Sequence, residues 1–184
     1  MDRRGVLSLL GISGLGVLWA APAEAAVARA LRVRDLVTRS RFAVLGTALA
    51  RESTWEQVGD SRRIVTTTRV QVEELVTGSR PETSEVMIRT LGGRVGTVGQ
   101  IVEGEADFTV GETSLVFASE LRAELFGVTA MAQGHYPLAL ESRGHVLKPS
   151  RSLPSLVGTE DSAVRRLSGT LLPDALRMIR AERP

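Results

Sequence analysis

Hydrophobic and polar residues alternate most regularly in the segment from Arg62 to Thr77. From Ile64 to Val72 every even position carries a β-branched residue, while most odd positions carry a polar one. A period of two is typical of a β-strand with one buried face. The alternation changes phase at residues 73–75, and a β-bulge would produce that change. The pattern therefore predicts a long strand with a bulge near its end.

Five further segments have the length and composition of strands, at residues 42–50, 84–91, 113–119, 125–133 and 136–141. The first is a nearly continuous apolar run, which is typical of a strand buried on both faces. Residues 51–61 are polar and contain Gly59–Asp60, so they are expected to form a turn region. Gly134 is expected to allow a tight hairpin between the last two strands.

Helices are predicted near both ends of this β region. A short helix is expected within residues 26–41, before the first strand. Near the C-terminus, Leu172, Leu176 and Ile179 form one apolar stripe, and Pro173 suits a first helical turn. Residues 142–163 are rich in glycine, proline and serine and are expected to be extended. The prediction is a mainly β fold, a small OB-like barrel of five to six antiparallel strands with both helices.

The N-terminus resembles an export signal. A charged start with Arg3–Arg4 precedes an apolar run, and a small-residue cleavage pattern ends at Ala25, so Ala26 is the expected mature start. The paired arginines resemble the twin-arginine export motif, and both this route and the general secretory route remain open. A retained signal would be the chain's contact with the membrane. The expected location is periplasmic or secreted.

The expected division of the chain has three parts. Residues 1–25 form the signal peptide, residues 26–141 the β-barrel domain, and residues 142–184 an extended linker with the C-terminal helix. Apolar residues make up 43% and charged residues 24%, which fits a globular protein. The net charge of +2 gives no field strong enough to suggest nucleic acid. The chain has no cysteine, which excludes disulfides and thiolate metal sites.

Four glycines between Thr90 and Gln100 mark the most unusual stretch of the chain. A P-loop would need lysine followed by serine or threonine, and a dinucleotide site would need a different glycine spacing that opens a helix. Neither pattern is present. The stretch is therefore expected to be a hinge after the third strand. Arg94 is the charged side chain of this stretch and a candidate ligand-binding residue at a loop tip.

His135 is the second candidate ligand-binding residue. It follows Gly134 and is expected to be exposed at the hairpin. A loose acidic cluster between Glu103 and Glu112 could supply it with a carboxylate partner, but no metal-binding motif and no nucleophile motif is present. No catalytic residue, metal ligand or cofactor is assigned.

Three segments together resemble a known family. The segments 42–47, 66–78 and 111–117 are similar to those of exported bacterial domains related to netrin-like and tissue-inhibitor-of-metalloproteinase barrels. The resemblance covers roughly residues 35–140 and implies an OB-type fold and export. The inhibitors of that group engage zinc through an N-terminal cysteine, which this chain lacks, so inhibition is not implied.

The expected function is that of an exported, non-enzymatic domain that binds a protein or an envelope component through its loops. Two alternatives remain open. One is an envelope hydrolase that uses His135 and a nearby carboxylate. The other is a structural accessory protein of an envelope assembly.

Overall fold

The computed structural model of the chain describes residues 28–182. Its strands are β1 (Ala28–Arg29), β2 (Phe42–Val58), β3 (Ser61–Gly78), β4 (Glu85–Leu91), β5 (Gly93–Val95), β6 (Val98–Gln100), β7 (Thr113–Arg122), β8 (Leu125–Val128), β9 (His135–Glu141), β10 (Gly144–Leu147) and β11 (Leu156–Val157). Its helices are α1 (Val33–Arg39), α2 (Ala163–Leu167) and α3 (Leu172–Ala181). The predicted mainly β fold with a helix near each end is confirmed.

Seven strands form one sheet, in the order β10–β9–β7–β2–β3–β4–β8. The strand β8 also pairs with β7, so hydrogen-bonded pairings run continuously through β2, β3, β4, β8 and β7 and back to β2. The sequence predicted antiparallel strands, and the pairs in this sheet are antiparallel apart from β4 with β8, which is parallel. Two short pairs, β5–β6 and β1–β11, lie outside the sheet.

The hairpin of β2 and β3 is much longer than the sequence indicated. Residues 51–58 were expected in a turn region, but they continue β2, and the turn is only Gly59–Asp60. The pair β2–β7 ends at Thr47–Thr113, whereas β2 and β3 stay paired to Val58–Ser61. We call the part of this hairpin formed by residues 49–58 and 61–69 the arm. Its polar residues do not disfavour a strand because both faces of the arm are partly exposed.

The predicted bulge is present where β2 and β3 pair. Leu45 pairs with Glu74 and Gly46 with Val72, so Glu73 is the extra residue. The fifth predicted strand, residues 125–133, is shorter than expected. It ends at Val128 because Ala130 and Met131 have positive φ values of 56° and 57°, which a strand cannot continue through. A 3₁₀ helix follows at Met131–Gly134.

Two hydrophobic clusters hold the fold together. One lies among β2, β3, β4, β7 and β8 and is closed by Ala106 and Phe108, which precede β7. The other lies between the sheet and the helices. Strand β2 contributes alternate residues to both, with Val44 in the first and Leu45 in the second, as its continuous apolar run predicted. Each fully buried aliphatic side chain contributes about 1.5–3 kcal/mol.

The segment after residue 141 is more ordered than its composition indicated. Residues 144–147 form β10, which pairs with β9, and residues 163–167 form α2. Leu147, Leu167 and Ile179 from this segment are fully buried in the cluster between the sheet and the helices. Glycine and proline positions therefore mark the breaks between short elements here, and the apolar residues between them fill the core.

The expected signal peptide and its cleavage point at Ala25 and Ala26 lie outside the described residues. Between Ala28 and Glu182, no helix has the length and apolar character needed to cross a membrane.

Candidate functional site: an open strand edge beside the glycine hinge

Gly92 and Gly93, here called the glycine hinge, turn the chain sharply at the end of β4. Their φ values are +90° and +129°, a backbone region that glycine reaches without a steric penalty. The chain then forms the short hairpin β5–β6, in which Val95 pairs with Val98. The predicted hinge after the third main strand is confirmed.

The glycine hinge lies directly against the arm. A Cβ atom on Gly93 would overlap Oγ1 of Thr66 and would lie 2.5 Å from Oγ of Ser53. Those two hydroxyl oxygens are 2.8 Å apart, and Thr66 donates a hydrogen bond of 2.6 Å to the carbonyl oxygen of Gly92. Only a residue without a side chain fits at position 93, so the β5–β6 hairpin is held tightly against this part of the arm.

One edge of the arm has no neighbouring strand among residues 28–182. The two-residue turn places Val58 opposite Ser61, and such a closing pair in a hairpin exchanges hydrogen bonds. Bonded and non-bonded pairs alternate along an antiparallel ladder. The backbone groups of residues 52, 54, 56 and 58 therefore point toward β3, and those of the residues between them point away from it.

The hydrogen bonds of β3 support this assignment. Ile64, which lies opposite Trp55, accepts from the backbone N–H of Gly92 and donates from its own N–H to Oε1 of Gln100. Ile64 therefore directs its backbone groups away from β2, and Trp55 must do the same on the other side. The outward-pointing residues of β2 are Arg51, Ser53, Trp55 and Gln57, and we call their backbone groups the open edge. Within the described chain these groups have no backbone partner.

Ala48 marks where the open edge begins. Its N–H donates to the carbonyl oxygen of Glu112 at 3.2 Å, and its carbonyl accepts from Gly111 at 2.8 Å. Beyond Ala48 the chain leading into β7 leaves β2. Of the residues on this edge, Arg51, Trp55 and Gln57 are exposed and Ser53 is half-buried. An edge strand with unpaired N–H and C=O groups is a template for a further strand.

Two contacts fix the side chains of the arm. The guanidinium carbon of Arg62 lies 5.6 Å from the ring centroid of Trp55, whose surface is 40% exposed. On the opposite face, Arg89 of β4 donates to Oε2 of Glu56 from Nη2 at 2.9 Å and from Nε at 3.3 Å. Tryptophan and arginine, with tyrosine, are enriched among energetically dominant contacts in protein interfaces.

A cleft of about 330 Å³ lies beside the open edge, between the glycine hinge and residues 100–107. Nη1 of Arg51 enters it, 3.2 Å from Oδ1 of Asp107, and also donates to the carbonyl oxygen of Phe108. Burial raises the pKa of the Glu105 carboxyl in this cleft, against the lowering effects of nearby backbone amides and of the charge of Arg89.

Arg94 lies on the β5–β6 hairpin and is exposed, as expected of a loop-tip residue. Its Nε donates a 3.1 Å hydrogen bond to the carbonyl oxygen of Gly96, within its own turn. The side chain therefore stabilises the turn, and its other guanidinium nitrogens form no hydrogen bond with residues 28–182.

His135 is buried, with 1% of its surface exposed, and the expectation that it is exposed at a hairpin was wrong. It is the first residue of β9, and its ring lies 4.4 Å from that of Phe108 between centroids. Burial, together with the positive charge of Arg151, lowers the pKa of His135 to about 4. The imidazole is therefore neutral at pH 7 and part of the interior.

The structure does connect His135 with the acidic segment, but not through a carboxylate. Nδ1 of His135 lies 3.2 Å from Oγ of Ser150, which is 3.4 Å from Oγ of Ser152, and Ser152 donates to the backbone carbonyl of Glu105. Among residues 28–182 no carboxylate hydrogen-bonds to His135. This arrangement joins two parts of the fold around a buried imidazole.

Within the described range, no three histidine or carboxylate side chains are grouped so that they could hold a metal ion.

Ser53 and Trp55 were not predicted as site residues because the polar character of residues 51–61 indicated a turn region. Two signals were available. Thr54, Trp55 and Val58 favour strands, and Gly59–Asp60 alone is enough for a two-residue hairpin turn.

No protein-family model matches the chain, and comparisons with curated proteins and with solved structures found no match either.

Proposed function

We propose that the protein is an exported, non-enzymatic binding domain that takes an extended segment of a partner protein as an additional strand on β2. The open edge is the observation that carries this proposal. Along it, the N–H and C=O groups of four alternate residues, Arg51 to Gln57, have no backbone partner among residues 28–182. An extended peptide satisfies such groups with main-chain hydrogen bonds, while the neighbouring side chains select its sequence.

An OB-type barrel is the fold that we propose for this domain. It is supported by the closed series of pairings through β2, β3, β4, β8 and β7, with the parallel pair β4–β8. OB-folds are five-stranded Greek-key barrels that bind ligands on a strand face and on the loops beside it. From the resemblance to netrin-like domains we infer only the fold, and we carry over no activity.

Export is part of the proposal and has its own test. Replacing Arg3 and Arg4 by lysine should block export if the twin-arginine route is used, and should leave it intact if the general route is used. N-terminal sequencing of the exported chain should begin at Ala26. A chain that remains in the cytoplasm would contradict the proposed periplasmic or secreted location.

The binding proposal is tested with linear eight-residue peptides selected from a phage-displayed library against the C-terminally tagged chain, in the form in which it accumulates in the cell. Ser53→Pro removes an outward N–H of the open edge, and proline is tolerated on edge strands. Ser53→Ala keeps that N–H and loses only the side-chain hydroxyl. We expect selected peptides to bind Ser53→Ala like the original chain and Ser53→Pro at least tenfold more weakly.

A change in the peptide separates binding from folding of the variant. N-methylation of alternate peptide residues removes the donors that an added strand needs and leaves the protein untouched. Methylation of one of the two possible sets of alternate peptide residues should abolish binding. Peptides that bind Ser53→Pro normally, or that tolerate both methylation patterns, would show that the open edge is not the binding site.

A further inference from the structure

We infer that the segment added to β2 carries two basic side chains four residues apart, which are held by Glu52 and Glu56. This inference rests on the proposed function, because it specifies the partner of the same open edge.

The geometry follows from the alternation of side chains along β2. Glu52, Thr54 and Glu56 project from one face of the arm, and Ser53 and Trp55 from the other. Residues 52, 54 and 56 direct their backbone groups toward β3, so on the open side they would form non-hydrogen-bonded pairs with an added antiparallel strand. Side chains approach most closely in such pairs, with Cα atoms about 4.5 Å apart.

The carboxylate of Glu52 is available to a partner, and that of Glu56 is shared with Arg89. Glu52 is exposed and forms no ion pair within residues 28–182. Glu56 receives both hydrogen bonds from Arg89 on Oε2, and its Oε1 has no partner among the described residues. Opposite charges on directly facing cross-strand positions stabilise a sheet and like charges destabilise it. Residues facing Glu52 and Glu56 are therefore selected for positive charge.

The other face of the arm specifies an apolar residue. The side chain of Trp55 is partly exposed beside Arg62, so the added residue that faces Trp55 can pack against its ring. The expected partner segment thus alternates, with basic side chains on the face of Glu52 and Glu56 and an apolar side chain on the face of Trp55. We therefore expect the open edge to bind a basic, amphipathic peptide in an extended conformation.

Three of the registers in which a second copy of this chain could pair with the same edge are disfavoured by charge. A two-fold axis between two antiparallel β2 edges would be centred on a residue that faces its own copy. Centring on Thr54 places Glu52 opposite Glu56, centring on Glu52 places it opposite itself, and centring on Glu56 places Glu52 opposite Asp60. Each of these three registers brings carboxylates together, which disfavours it. Centring on Ser53 or Trp55 instead places Glu52 opposite Thr54 or Val58 and brings no carboxylates together.

The test uses three synthetic eight-residue peptides of alternating threonine and valine or isoleucine. They are identical except that two positions on the threonine face, four residues apart, are both lysine, both glutamine or both glutamate. Binding is measured by fluorescence anisotropy at 20 mM and 300 mM salt. We expect the lysine peptide to bind at least tenfold more tightly than the glutamate peptide, and the ratio to fall at high salt because exposed charges are screened.

Charge reversal at one position tests the assignment. Glu52→Lys should abolish or invert the preference, Glu52→Gln should reduce it, and Ser53→Pro should weaken the binding of all three peptides alike. If Ser53→Pro weakens binding but the three peptides bind equally, the inference fails and the proposed function stands. If Ser53→Pro has no effect, the proposed function itself fails. A dimer of the chain that Ser53→Pro dissociates would make a second copy the occupant and would overturn the inference.

Discussion

The imidazole Nδ1 of His135 lies 3.2 Å from the hydroxyl oxygen of Ser150 in the interior of the protein. Burial, with a smaller contribution from Arg151, lowers the pKa of this histidine to about 4. In the unfolded chain the pKa returns to about 6.5, so at pH values between the two the unfolded chain binds a proton that the folded chain does not. The stabilisation is therefore complete above pH 6.5 and is lost as the pH falls toward 4.

This depressed pKa predicts a loss of about 3 kcal/mol of stability between pH 7 and pH 4. Urea unfolding at several pH values measures it. His135→Gln, which cannot titrate, should flatten this part of the pH profile even if it is less stable at pH 7. His145→Gln removes an exposed imidazole on β10 and is the matched control for the loss of a histidine. Equal slopes in all three proteins would contradict the buried neutral state of His135.

Gly93→Ala is expected to destabilise the protein by about 2–4 kcal/mol. A methyl group at this position would overlap the hydroxyl groups of Thr66 and Ser53, and the backbone has a φ of +129°. The hydrogen bond from Thr66 to Gly92 would be lost as the hairpin moves away. Denaturant unfolding measures the change in stability.

The control for Gly93→Ala is Gly96→Ala in the same hairpin. Gly96 also has a positive φ, of +59°, but a Cβ atom added there would meet no atom within 4 Å. We expect a loss of only about 1 kcal/mol there, the cost of the left-handed conformation alone. If both variants lost the same stability, close packing of the glycine hinge against the arm would be refuted.

The ion pair between Glu56 and Arg89 should contribute modestly to the stability of the arm. The two side chains are partly exposed, by 40% and 22%, so solvent screens much of their attraction. We expect a coupling free energy of about 0.5–1 kcal/mol in a double-mutant cycle of Glu56→Gln and Arg89→Gln. The coupling should decrease in high salt, and its complete absence would mean that the pair does not hold the arm to β4.

Truncation after Glu141 should prevent stable folding. The removed segment supplies Leu147, Leu167 and Ile179, all fully buried between the sheet and the helices. Each contributes about 1.5–3 kcal/mol, and their sum approaches the entire stability of a typical domain. Circular dichroism and cooperative thermal unfolding of residues 26–141 would check this. A cooperative transition near that of the full chain would show that residues 26–141 fold independently.

The sequence predicted the main strands where the pattern was strong. The alternation from Ile64 to Val72, the apolar run of 42–48 and the stripe on α3 all reflect direct contact with a hydrophobic core, and such patterns are visible in the residues themselves. It also predicted the glycine hinge, because positive φ values favour glycine. It did not predict that the polar residues 51–58 form a strand. These residues are held in a strand by pairing with β3, which their own sequence does not reveal.

His135 shows the same limit at the level of one side chain. Histidine is intermediate in burial among residue types, and nothing local reveals that Phe108 and Ser150, distant in sequence, enclose this one. Arg94 was placed correctly because its exposure follows from the short turn around Gly96.

The sequence by itself determined a mainly β fold, the helices near the ends, the bulge and the hinge, since each depends on local periodicity or on one residue's backbone freedom. Only the tertiary structure decided that Ser53 and Trp55 lie on an unpaired edge and that His135 lies inside. Both depend on which distant strands are neighbours, and hydrogen-bonding neighbours are set by the pairing of the whole sheet. The candidate binding edge exists because β7 leaves β2 at Thr47 while β3 continues beside it to the turn.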